Sequence, residues 1–189
     1  LHSSQRDGMP YAVTHILFPI LLVSIVRDYI RKSKKHFPLH YVLIAGLGGV
    51  LPDIDIVFSL FLRLIGQSDW WIHKTFTHSL FFPLAFLLVA LLLKPFHTKA
   101  VVCTKRGHKL HLTIISLMLA LGTFIHIILD MFFGEQAFLL YPFSSINRGI
   151  NLFSLFPLEA AVTAALLDGI ILVAWIVYLE LKHKISDFI

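Results

Sequence analysis

The sequence predicts an all-α protein, a polytopic bundle of transmembrane helices with about five crossings and a broken second helix. Three observations lead there. Of the 189 residues, 57% are hydrophobic and only 14% charged, where a water-soluble domain carries roughly a quarter. The apolar residues fall in long runs, Ile16–Val26, Leu80–Leu93, Leu112–Phe133 and Ala160–Leu181. These reach or approach the roughly 20 residues a helix needs to cross a bilayer. Finally, twelve of the sixteen basic residues occupy three segments that come after alternate crossings.

The first span runs from about Tyr11 to Val26. The second is interrupted: Tyr41–Leu51 is apolar and glycine-rich, Pro52-Asp53-Ile54-Asp55 intervenes, and Ile56–Ile65 resumes. Proline removes a backbone donor and biases Leu51 away from the helical region, so the helix is expected to break there. Broken helix at membrane depth is tolerated only where it lines protein or a wet cavity. Ser79–Leu93, Leu112–Met131 and Pro157–Leu181 supply the third, fourth and fifth spans.

The basic clusters are Arg27 to Lys35, Lys94 to Lys109, and Lys182 with Lys184. Basic loops stay cytoplasmic, so the N-terminus is expected outside and the C-terminus inside. The loops 67–77 and 134–156 then face outward, with Trp70, Trp71, Tyr141 and Phe143 as an interfacial aromatic belt. An anionic inner leaflet accounts for the net charge of +5 without a nucleic-acid partner. The lone Cys103 excludes an intrachain disulfide and a cysteine-based zinc site. No cleavable signal peptide is expected, because the first apolar stretch lacks a basic leader and a small-residue cleavage site. Residues 1–8 are polar and unlike the apolar chain after them, and Met9 reads as the natural start.

Against this background seven residues stand out: His15, Asp53, Asp55, His73, His78, His126 and Asp130. Imidazole and carboxylate desolvate at high cost, so beside Leu, Ile and Phe runs they must pair or ligate. Counting from the basic anchors at about 1.5 Å per residue puts His15, Asp53, His78 and His126 roughly 17 to 25 Å above the inner boundary. Four segments thus deliver candidate ligands to the outer half of the bilayer.

Local spacing is compatible with metal chemistry. His126 and Asp130 are four apart and share a helix face. Asp53 and Asp55 can turn to one side if the backbone between them is extended. His73 is expected in a loop and His78 in a first helical turn, with Thr77 as N-cap. Each piece has a bland reading: a buried histidine, a Pro-Asp turn, a chance His-x-x-x-Asp. Three acids in apolar surroundings with Lys74 as the one nearby base shift the balance toward metal. Nitrogen and oxygen donors without sulfur suit zinc, manganese or iron, and more than four ligands suggest two or more divalent ions. Glu135 and Glu159 flank the outer loop as further ligands or a base, and Asp168 reads as lying well below the cluster, where a packing hydrogen-bonder is an equal reading. Lys74 and Arg148 face outward and are suited to hold an anionic substrate.

Thr14-His15, Pro52-Asp53-Ile54-Asp55, His73, Thr77-His78-Ser79, His126-Ile127-Ile128-Leu129-Asp130 and Tyr141-Pro142-Phe143 occur in an order that resembles the YdjM family of inner-membrane proteins. No single piece is specific; the ordered set is. Lys74 stands where that family more often has Arg, and Met131 to Gly134 is bulkier than its pattern. The resemblance implies a membrane-bound metal-dependent hydrolase, with residues 9–189 as its single domain. The family also looks distantly similar to zinc-dependent phospholipase C and to helical zinc nucleases. That implies phosphoester hydrolysis by metal-activated water, on a lipid or lipid-linked substrate reached from the bilayer. Asp53 or Asp55 would orient the water, and Lys74 and Arg148 would clamp the phosphate. Two rivals are a metal-dependent intramembrane protease or amidase, which lacks a His-Glu-x-x-His helix, and a non-enzymatic metal transporter or sensor. For the transporter, only Asp168 offers a rung toward the cytoplasm.

Overall fold

The computed structural model describes residues 12–31, 37–66, 76–96, 99–103, 108–133, 138–144, 146, 149–150, 152–156 and 158–184. Helix α1 spans Ala12–Ile25 and continues as π-helix through Val26–Arg31. Helices α2 (Leu39–Gly48) and α3 (Ile54–Leu64) form one apolar pair bent by 43° at the break between them. Helix α4 covers Phe81–Leu93, α5 Leu112–Phe133 and α6 Ala160–His183.

The all-α membrane bundle is therefore as expected. Among the described residues three helices are long and apolar enough to span, or four if the bent pair is one span. Helix α4, continued by a 3-10 turn to Phe96, is shorter than a full crossing, so helix length alone supports three to four of the five expected spans. The basic segment between α4 and α5 was expected to be loop. It instead carries an antiparallel ribbon, β1 (Lys99–Cys103) with β2 (His108–His111). The Tyr41 hydroxyl accepts from His111 N–H at 2.7 Å and ties the ribbon to α2.

The distribution of polarity is that of a membrane bundle. Leu47, Val57, Leu88, Leu92 and Ile170 are exposed, whereas His15, Asp55, His78, Thr123, His126 and Asp130 are buried. Ionisable groups at membrane depth face the bundle interior, and the apolar outer surface suits hydrocarbon. Ile20, Val23, Val42 and Ala45 form the apolar core, with Met118, Leu121 and Trp175 packed against it. Helix α5 packs against α4, α2 and α1, and α6 leans on α1. Ser116 on α5 donates to the Phe86 carbonyl of α4 at 2.6 Å, a hydrogen bond that helps hold helices together in lipid.

Two glycines allow the close approach of α2. A Cβ on Gly122 would lie 2.1 Å from the Ala45 carbonyl oxygen, and one on Gly49 would lie 2.0 Å from that of His15. The second span accordingly leaves its helix after Gly48, three residues before the position expected from Pro52. Pro52 instead sits inside a short 3-10 turn, Leu51–Asp53.

Candidate metal centre

His126 and Asp130 lie one turn apart on α5 and project to one side. His126 Nδ1 is 2.8 Å from the Gly49 carbonyl oxygen, which is turned toward it where the second span breaks. A carbonyl only accepts, so this nitrogen carries the hydrogen and Nε2 turns its lone pair to the interior.

His78 is held the same way by different partners. The Thr77 hydroxyl donates its one hydrogen to Asp55 Oδ2 at 2.9 Å. It must therefore accept in its 3.1 Å contact with His78 Nδ1. Asp55 Oδ2 is itself 3.4 Å from that nitrogen. His78 thus also presents Nε2 inward.

The inward atoms converge. The two Nε2 atoms of His78 and His126 are 3.3 Å apart. Asp130 Oδ2 is 3.2 Å from the His126 nitrogen and 3.5 Å from that of His78. Asp53 Oδ1 approaches the same pair at 3.6 and 3.5 Å. The second oxygen of Asp130 is 3.3 Å from His15 Nε2, and the His15 ring stacks on that of His126 at 4.0 Å. Lone pairs this close, buried and facing carboxylates, repel unless a cation lies among them.

Among the described residues two overlapping groups could hold a metal ion, His15 with His126 and Asp130, and Asp53 with His78 and His126; within each, the donor atoms lie within 4.8 Å of one another. His126 belongs to both. The donors are imidazole and carboxylate, a set that suits zinc, manganese or iron. The residues therefore fit such an ion. A proton also answers the need for positive charge. His78 lies in the turn ahead of α4, and burial by itself depresses its imidazolium. The hydrogen-bonded carboxylates of Asp53 and Asp55, with the charge of Asp130, outweigh that effect and push its pKa up to about 9.

Five of the seven expected ligands meet here: His15, Asp53, His78, His126 and Asp130. Asp55 does not share the side of Asp53. The backbone between them is helical rather than extended, so the two carboxylates flank His78 from opposite ring edges. Thr77 is not an N-cap: α4 starts at Phe81, and the hydroxyl holds Asp55 instead. His73, Lys74, Glu135 and Arg148 lie outside the described residues. Glu159 is exposed at the head of α6 and belongs to neither group.

Asp168 corrects its expected depth. Its Oδ1 accepts from Thr14 N–H at 2.9 Å and also from the Thr14 hydroxyl. It thus satisfies an orphan donor in the first turn of α1, one residue from His15. Depth counting along α6 alone missed this, because span ends and tilt shift the helices relative to one another. Sequence reasoning also missed Gly49, whose signal was the Gly48-Gly49 pair just ahead of the break.

Comparison with known families matches residues 9–184 to the family described as YdjM inner membrane protein. No curated protein and no solved structure matches the chain.

Proposed function

The chain belongs to the YdjM inner membrane protein family, and from that premise we propose that it is a membrane-embedded, metal-dependent hydrolase of a lipid phosphoester. The observation that carries this reading is the convergence of His15, Asp53, His78, His126 and Asp130, drawn from four segments, with His126 common to two ligand groups. Structural histidines need one partner each; three of them gathered with two carboxylates from four segments exceed that need.

In this reading His126, whose Nε2 offers a single inward lone pair, would hold one divalent ion, either with His15 and Asp130 or with Asp53 and His78, zinc being the preferred metal. When bound, such ions polarise a phosphoryl oxygen and lower the pKa of water toward neutrality. The protein residues do the rest. Gly49 and Asp55 fix the tautomers of His126 and His78. The Asp53 side chain is 27% exposed, against 10% or less for the other members, so it is the carboxylate best placed to orient an incoming water and take its proton. Lys74 and Arg148 would neutralise the phosphate charge. The basic clusters favour a site near the outer face and a cytoplasmic C-terminus.

The position of Asp168 weighs against transport. It sits beside Thr14 rather than below the cluster, so it offers no rung toward the cytoplasm. The test is metal analysis of purified protein together with a hydrolysis screen of lipid phosphoesters and peptides. Bound transition metal, chelator-sensitive phosphoester cleavage, and loss of both in His126→Ala are expected. Metal-free protein, or unchanged turnover in that variant, would overturn the reading; cleavage of peptides alone would favour a protease.

A further inference from the structure

The bend in the second span exposes the Gly49 carbonyl. Beside the bend lies a groove of about 420 Å³ between that span and α5, lined by Leu47, Val50, Ile54, Val57 and Leu119 together with Asp53, its one charged residue. Its back wall is fixed by the close approach of α2 to α5: a Cβ on Gly48 would lie 2.8 Å from the Leu119 carbonyl oxygen. A larger apolar groove of about 470 Å³ runs between α4 and α5, but no member of the cluster lines it. The most exposed member of the cluster therefore also lines an apolar groove on the exposed surface of the bundle.

We propose that this groove is the acyl-chain subsite of the metal centre, seating the tail of a membrane phospholipid so that its headgroup ester lies against Asp53. The proposal rests on the hydrolase reading and names where its substrate enters. The chemistry that selects the occupant is amphipathic: hydrocarbon along Leu47, Ile54 and Val57, and a polar group at Asp53. A tail gains nothing by leaving lipid for leucine, because the two are equally apolar. The groove's contribution is orientation, placing the scissile bond within reach of the site. A soluble peptide would have to desolvate its backbone along the same wall.

The experiment uses intact protein in vesicles that contain phospholipid with a photoactivatable diazirine on one acyl chain. Adducts are mapped by mass spectrometry, and hydrolysis is followed in parallel. Expected are adducts concentrated at the exposed Leu47 and Val57 and the half-buried Leu119, over Leu172 and Val173 of α6, which are exposed but lie outside the groove. Val57→Trp, at an exposed position, should lower these adducts and cut diacyl-substrate turnover at least about tenfold. Bound metal and cleavage of a tail-less phosphodiester should stay unchanged. Adducts spread evenly, or gathered at Leu84 and Leu87 in the other groove, overturn the proposal. The two readings also fail separately. Groove-centred adducts without any phosphoester cleavage keep the lipid site and remove the reaction; cleavage with evenly spread adducts does the reverse.

Discussion

The carbonyl oxygen of Gly49 lies 2.8 Å from Nδ1 of His126, across the bundle from one span to another. One backbone atom thus decides which nitrogen of the shared histidine faces the cluster. It is available because the second span breaks beside it, and the break is possible because Gly49 has no Cβ to strike His15. Broken helix, tautomer and ligand geometry are a single arrangement.

Gly49→Ala should therefore damage both stability and metal binding. The added carbon would lie 2.0 Å from the His15 carbonyl oxygen, a backbone atom that cannot swing aside. Overpacking of this kind costs about 1–3 kcal/mol. Gly169→Ala, with nothing within 4 Å of its Cβ, should be neutral or slightly stabilising. Thermal unfolding in detergent with metal analysis compares the two.

Stoichiometry should report the sharing of His126. Its removal takes a ligand from both groups, so His126→Ala should lose all tightly bound metal. Asp53→Asn touches one group only, so an ion held by His15, His126 and Asp130 should survive it. Equal loss in both variants would instead assign the ion to the group of Asp53 and His78.

Asp55 and Thr77 stand behind His78 rather than among the converging atoms. Asp55→Asn and Thr77→Val should weaken metal affinity by about 10- to 100-fold, the usual cost of losing the group that orients a ligating imidazole. Titration of metal-free protein measures this, with stoichiometry expected to remain unchanged at saturation.

Metal binding should also track pH in a defined direction. With its pKa pushed up to about 9, His78 carries a proton below that pH in metal-free protein. An ion must displace the proton, so competition grows as pH falls. Apparent affinity should drop by about tenfold per unit between pH 9 and pH 7 if one proton is released. Affinity independent of pH across that window would show that His78 does not exchange a proton for metal.

Asp168→Leu should destabilise the fold by about 1–3 kcal/mol, since it strands the buried Thr14 N–H and hydroxyl. Asp168→Asn keeps one acceptor oxygen and should recover part of that loss. Unfolding midpoints of the two variants give the comparison.

Much of this was legible in the chain before any fold. Hydropathy runs along the sequence, so composition and run length by themselves determined the membrane class and the position of the apolar helices, and Pro52 marked the interruption of the second. The cost of burying imidazole and carboxylate singled out His15, Asp53, His78, His126 and Asp130 as residues that had to meet something. Rotation of each helix about its axis, and its shift along the membrane normal, leave no such trace. They are set by how closely α2 can approach α1 and α5 at Gly49 and Gly122. Only the tertiary structure could therefore decide that the break falls at Gly48 and Gly49, that Asp55 supports His78 while Asp53 joins the cluster, and that Asp168 caps α1. An imidazole offers two nitrogens of equal composition. Which one reaches the site depends on the partner behind the other, and that partner comes from a distant part of the chain.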